Sequence, residues 1–206
     1  MKTVLCFGDS NTYGTLPMPS LDHDERYGMD TRWPRVMAAG LGEGWHLVEE
    51  GHPGRTTVHD DPIEGIHRNG ARILLAILDS HRPVDVLVLM LGTNDHKQRF
   101  GLGPQDIAMG AGRLVAMAQA SGRVDKILLV CPPKCLERGV LAQIFAGAEA
   151  RGKGLADEMK REAAAKGVAF FDAGTVIESD PVDGVHFSAE AHVALGQAMV
   201  EQVLAL

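Results

Sequence analysis

Five short β-type runs recur along the chain, Thr3 to Phe7, His46 to Glu50, Val84 to Leu91, Lys126 to Cys131 and Val168 to Asp172, each followed by a turn and a helical pattern. The run VDVLVLML from Val84 is almost continuously apolar, which marks a central parallel strand buried on both faces. Helical spacing covers Trp33 to Leu41, Asn69 to His81, Pro104 to Ala120, Leu155 to Lys166 and Ala189 to Leu204. In the last of these, Ala191, Leu195, Ala198, Met199 and Val203 share one stripe, with Ser188 placed to cap the first turn. Strands alternating with helices predict an α/β fold: one three-layer domain over residues 1–206, with a five-stranded parallel sheet at its centre.

Two segments escape this periodicity. Thr15 to Arg32 is rich in Pro, Asp and Gly, and the stretch from Pro132 opens with two prolines and runs on towards Phe145. Both follow strands, and ligands of parallel α/β sheets bind beyond the carboxyl ends of the strands, so both are candidate pocket walls. Both exceed the ~4 to 6 residues of an ordinary connection. Leu16, Met18, Leu21, Tyr27 and Met29 in the first and Leu136, Val140, Leu141, Ile144 and Phe145 in the second would form exposed apolar patches on a monomer. The expectation is a homo-oligomer in which neighbouring subunits cover them.

Composition narrows the partners. Lys and Arg total 20 against 27 Asp and Glu, a net charge of -7, which argues against nucleic acid and anionic lipid surfaces as ligands. No apolar run approaches the ~20 residues of a membrane span, and the opening MKTVLCFGDS is too short in apolar residues for a signal core. Cys6, Cys131 and Cys135 are too few for a disulfide framework and read as reduced thiols. A cytoplasmic protein acting on small neutral or cationic molecules fits best.

The chemistry-bearing residues stand after strands or, for one pair, just ahead of the C-terminal helix. Phe7-Gly8-Asp9-Ser10-Asn11 puts Ser10 where a strand gives way to a helix. A serine there either caps the helix or acts as a nucleophile, and a nucleophile needs a base and preplaced donors for the oxyanion. Asp183-Gly184-Val185-His186 supplies a base candidate, because a tight turn lets the carboxylate orient the imidazole while its other nitrogen faces the serine. Gly54 can bring a backbone N–H close to a substrate oxygen, and the Asn94 amide in Gly92-Thr93-Asn94-Asp95 can add another donor. Taken singly, each is as readily a turn as a site.

Gly8-Asp9-Ser10, Gly54, Gly92 to Asp95 and Asp183-x-x-His186, in that order and over essentially the whole chain, resemble the SGNH (GDSL-like) hydrolase family. The stretches Cys6 to Ser10, Glu49 to Gly51, Arg55 to Thr57, Met90 to Asp95, Phe171 to Gly174 and Asp183 to Phe187 look like its bacterial arylesterase and acyltransferase branch. The resemblance implies a flavodoxin-like sheet and Ser10 as nucleophile with Asp183 and His186 as partners. It also implies an oxyanion hole from the Ser10 and Gly54 N–H groups and the Asn94 side chain, with no cofactor and no metal. Small carboxylic esters are the implied substrates, through an acyl-enzyme, with acyl transfer or perhydrolysis as side activities. Acetylated carbohydrates, thioesters and lysophospholipids are alternatives within the family. The chain departs from the pattern in four places: Asn11 replaces the leucine of GDSL, Glu49-Glu50 stands where an asparagine usually precedes the second-block glycine, Pro53 directly precedes Gly54, and only Tyr13 remains of the aromatics often found after the GDS block.

Other readings fit less well. Ser10 lacks the second glycine of a G-x-S-x-G elbow, and Gly8 is not part of a G-x-G-x-x-G turn. His59, Asp60, Asp61 and His67 share a polar stretch without the spacing that fixes a metal, and read as solvated. A non-catalytic ligand-binding protein on the same fold is the remaining reading from another class.

Overall fold

The computed structural model describes all 206 residues. The apolar runs form five parallel strands, β1 Lys2–Gly8, β2 Trp45–Gly51, β3 Val84–Met90, β4 Val124–Cys131 and β5 Ala169–Asp172. They pair in the order β2-β1-β3-β4-β5. The chain winds outward from β1 to β2, then crosses to build β3, β4 and β5 on the other side. That reversal opens a crevice between the carboxyl ends of β1 and β3.

Side-chain alternation along β1 divides the core into two layers. Val4 and Cys6 pack with Trp33 and Met37 of α2 (Trp33–Leu41) and with Leu195, Met199 and Val203 of α7 (Ala189–Leu204). Leu5 and Phe7 face the other way, onto α3 (Gly70–His81), α4 (Pro104–Ser121) and α6 (Leu155–Lys166). Every residue of β3 is buried except Asp85, whose carboxylate accepts the Thr3 N–H at 2.7 Å. Truncating a core leucine such as Leu89 should cost about 2 to 5 kcal/mol. Helix starts follow local chemistry: Asn69 accepts the Ala71 N–H, Ser188 accepts the Ala191 N–H, and Pro104 opens α4 where a missing N–H is harmless.

Two four-residue helices, α1 (Ser10–Tyr13) and α5 (Ala148–Arg151), complete the fold. The two long loops behave differently from each other. The first folds over its own domain, with an antiparallel bridge between Thr15 and Arg26 and an anchor from Arg32 to Glu49 at 3.1 and 3.2 Å. It still leaves Leu21 and Met29 62% exposed. The second corrects the expectation of an exposed patch: Leu141 and Phe145 are buried with Cys135, Ala148 and Val185 in a small core of their own, and Val140 and Ile144 pack against it.

Candidate active site

Ser10 is seated by glycines and a cap. Gly8 and Gly51 pair at the carboxyl ends of β1 and β2. A Cβ on Gly51 would lie 2.2 Å from the Tyr13 nitrogen, and one on Gly8 would lie 1.9 Å from the Thr12 hydroxyl oxygen. Only residues without side chains let α1 cross the strand ends this closely. Asp9 caps the helix, accepting the Asn11 N–H at 2.9 Å, and leaves Ser10 at the first helical position, 5% exposed.

The candidate base, His186, comes from the turn ahead of α7. Asp183 Oδ1 accepts the N–H groups of Val185 and His186, both at 2.9 Å, which folds the D-x-x-H segment back on itself. Its other oxygen accepts from His186 Nδ1 at 2.6 Å and from the Met18 N–H at 2.7 Å. His186 Nε2 lies 3.1 Å from Ser10 Oγ. The Asn11 amide donates to the Val185 carbonyl at 3.1 Å, tying the two ends of the chain together beside the serine. Burial would raise the Asp183 pKa, but the hydrogen bond and charge of His186, with the backbone donors, outweigh it and hold the carboxyl below its ordinary value. An anion kept beside an imidazole fixes the tautomer that leaves Nε2 free to accept a proton.

The donors converge on the same point. Pro53 and Gly54 form the centre of a tight turn closed by the Arg55 N–H to the His52 carbonyl at 3.1 Å, with Gly54 at φ 75°. That is the conformation of a type II turn, in which proline and glycine take the two middle positions, so Pro53 shapes the turn that carries Gly54. Neither the Ser10 N–H nor the Gly54 N–H donates to another protein group. Asn94 Nδ2 points to the Arg55 carbonyl at 3.1 Å and to Asp9 Oδ2 at 3.3 Å.

Beneath these donors lies a buried polar layer whose residues stand within the motif stretches but were given no role of their own by the sequence. Asp95 is fully buried and accepts from the Thr57 N–H at 3.0 Å and the Thr57 hydroxyl at 2.5 Å, joining the segments after β2 and β3. Arg55 is 2% exposed, stacks 4.1 Å over the Phe7 ring and donates to the Gly8 and Glu50 carbonyls. Burial pulls its pKa down to about 10. Asp9 is 1% exposed, and burial pushes its carboxyl up to about 6 despite the Asn11 bond and the charges of His186 and Arg55. Polar residues flanking strand ends were the available signal, but the contacts join positions far apart in the chain.

Ser10, Gly54, Asn94 and His186 share a cavity of about 420 Å³. Leu141, Ile144, Phe145 and Val185 form an apolar wall, Thr15, Met18 and Leu21 come from the first loop, and Glu64 with Lys97 forms a polar wall. The polar wall corrects one sequence expectation. Asp61 is not solvated: it is fully buried, 3.0 Å from Arg99 and 3.5 Å from Lys97, while Lys97 bonds Glu64 at 2.5 Å. The His59 ring lies 6.0 Å from Phe100 and the His67 ring edge-on to His52, and no group of three or more His, Cys, Asp or Glu side chains is placed to hold a metal. A second cavity of about 600 Å³ lies behind Pro132 to Leu136 and contains neither Ser10 nor His186.

A serine, imidazole and carboxylate in line at the carboxyl edge of a 2-1-3-4-5 sheet, with free N–H groups beside the serine, define a serine hydrolase on a flavodoxin-like frame. The chain belongs to the GDSL-like lipase/acylhydrolase family, whose model matches residues 6–194. Among solved structures it is similar to the inhibitor-bound aryl esterase of M. smegmatis, at 40% identity over 100% of both chains with a TM-score of 0.95. It is also similar to a carbohydrate acetylesterase from Sinorhizobium meliloti, at 39% identity over 100% of this chain and 99% of that one, TM-score 0.95. No curated protein gives a significant match.

Proposed function

We propose that this carboxylic ester hydrolase acts on small acyl esters through an acyl-enzyme on Ser10. His186 Nε2 takes the serine proton as Oγ attacks the ester carbonyl, and Asp183 stabilises the imidazolium that forms. The charge on the carbonyl oxygen is met by the N–H groups of Ser10 and Gly54 and by Asn94 Nδ2. His186 then protonates the leaving alcohol, and water repeats the sequence on the acyl carbonyl. The carrying observation is the unbroken relay, 2.6 Å from Asp183 to His186 and 3.1 Å from His186 to Ser10.

The 420 Å³ cavity with one apolar wall suits acetyl and other short acyl groups. Aryl esters follow from the likeness to the mycobacterial aryl esterase, and acetylated carbohydrates from the likeness to the acetylesterase and from the polar wall of Glu64 and Lys97. A rate series over acyl length with p-nitrophenyl esters, set beside an acetylated sugar, distinguishes these. Alcohols or peroxide compete with water for the acyl group where the cavity is narrow, which gives partial acyl transfer. The whole chain, 1–206, works as one domain.

We further read the protein as a cytoplasmic homo-oligomer. Three buried unpaired cysteines support a reducing compartment, and no helix is long and apolar enough to cross a membrane. Leu21 and Met29, together with Ile63 at 77% and Ile66 at 59% exposure, support a covering subunit. Sedimentation velocity at micromolar protein tests this, and a single species of 22.1 kDa refutes it. The catalytic reading is tested by Ser10→Ala, which should lower kcat by about a millionfold with an unchanged circular dichroism spectrum. A folded variant keeping more than a few per cent of activity would overturn it.

A further inference from the structure

We propose that Asp9 is a positioning residue for the reaction, holding the Asn94 amide and the first turn of α1 in the arrangement that receives the oxyanion. The inference rests on the reading of Ser10 as nucleophile. Asp9 stands between the serine and the amide: Oδ1 takes the Asn11 N–H at 2.9 Å and Oδ2 takes Asn94 Nδ2 at 3.3 Å. The second amide hydrogen is held at 3.1 Å by the carbonyl of Arg55, the residue after Gly54. Both hydrogens of Asn94 Nδ2 are thus held, one by the segment carrying Ser10 and the other by the segment carrying Gly54. Its plane is set before substrate arrives, which is what an oxyanion donor requires if no reorganisation is to accompany charge development.

The two bonds of Asp9 differ in kind. The bond to Asn11 is of ordinary length and is a helix cap that serine or asparagine can replace. The bond to Asn94 is long and therefore weak, so it holds the amide in its plane without competing strongly with a charged oxygen forming beside Ser10 and Gly54. Asp9 makes no salt bridge, although it is 1% exposed. A carboxyl in that setting is costly to keep for capping alone, since an uncharged cap would serve. Its contact with Asn94 accounts for the acid.

The test uses Asp9→Asn and Asp9→Ser in the full chain. Both keep a capping oxygen; the asparagine is isosteric, and the serine is too short to reach Asn94. Each should lower kcat on p-nitrophenyl acetate by about 10- to 100-fold, part of what losing one oxyanion donor costs, with KM within about threefold and no fall in melting temperature at pH 8. In an Asn94→Ala background, Asp9→Asn should lower kcat by less than about threefold further, because a residue acting through the amide has nothing left to position. An unchanged or raised kcat in both single variants overturns the proposal. So does a full additional loss in the Asn94→Ala background, or a loss confined to KM. Retained activity in Ser10→Ala would instead bring down the reading beneath it, whatever Asp9 does.

Discussion

The two sides of the cleft are built by opposite means. On the base side, Asp183 and His186 sit on a turn whose carboxylate collects four donors, and the Met18 N–H of a loop with exposed leucine and methionine is one of them. On the donor side, Ser10, Gly54 and Asn94 follow three adjacent parts of the sheet and rest on the buried polar groups Asp9, Arg55, Thr57 and Asp95. The base side holds a charge favourably, as the lowered Asp183 carboxyl shows, whereas the donor side keeps an acid at a cost, as Asp9 at about 6 shows. In the proposed mechanism the two sides divide the work: the Asp183 side would stabilise positive charge on His186, and the other would receive the oxyanion.

The largest effects should come from the base side. His186→Ala should remove the base outright and lower kcat on the order of a millionfold, and Asp183→Asn, which keeps the shape but loses the tautomer control, about 10⁴-fold. If Asp183→Asn costs less than about tenfold, the relay is not what orients the imidazole. On the donor side, Asn94→Ala should lower kcat by about 10²- to 10³-fold while KM changes little, because the amide meets a charge present only after attack. A change in KM alone would make Asn94 a ground-state contact and erase the division of labour.

The two carboxyls should also pull stability in opposite directions with pH. The folded state lowers the Asp183 pKa, so its contribution is fully present above the unfolded value near 3.8 and is lost as pH falls through the folded value. The folded state raises Asp9 from 3.8 to about 6, so its penalty is fully present above about 6 and is relieved as pH falls towards 4. The groups acting on it are Arg55 and His186, which favour the charge, and Asp95, which opposes it. At pH 8 the penalty is up to about 3 kcal/mol. Asp9→Asn should therefore melt higher than the parent at pH 8 and lose that advantage near pH 4. A variant melting lower at pH 8 contradicts this. The smallest effect concerns the support beneath the donors: Thr57→Val removes the 2.5 Å bond to Asp95 and should cost about 1 to 3 kcal/mol in denaturant unfolding. No loss would mean that Asp95 is satisfied without it.

Much of the frame was legible because it is local. The run from Thr3 lies within Lys2–Gly8, the helix from Trp33 ends at Leu41 as its spacing predicts, and Ser188 caps α7. The four motif segments were legible too: three follow the ends of β1, β2 and β3, the fourth lies in the turn ahead of α7, and the fold brings them together. The four-residue α1 and α5 are too short to show a period. Asp9 with Asn94 and Thr57 with Asp95 depend on contacts 85 and 38 residues apart, which no local pattern encodes. Asp61 looked solvated because its neighbours in sequence are polar, yet Lys97 and Arg99 come from the far side of β3 to bury it. The apolar residues of the two long loops looked alike in sequence. Only packing separated those of the second, which bury one another, from Leu21 and Met29 of the first.

If His186 and the donor side together make Ser10 a nucleophile, a p-nitrophenyl phosphonate reads that directly. Intact-mass spectrometry of the treated protein should show one phosphonyl adduct per chain, placed on the Cys6 to Tyr13 stretch at Ser10 by peptide mapping. The adduct should be absent from His186→Ala and formed slowly in Asn94→Ala. An adduct on another residue, or none on the folded parent protein, would mean that Ser10 is not the activated nucleophile.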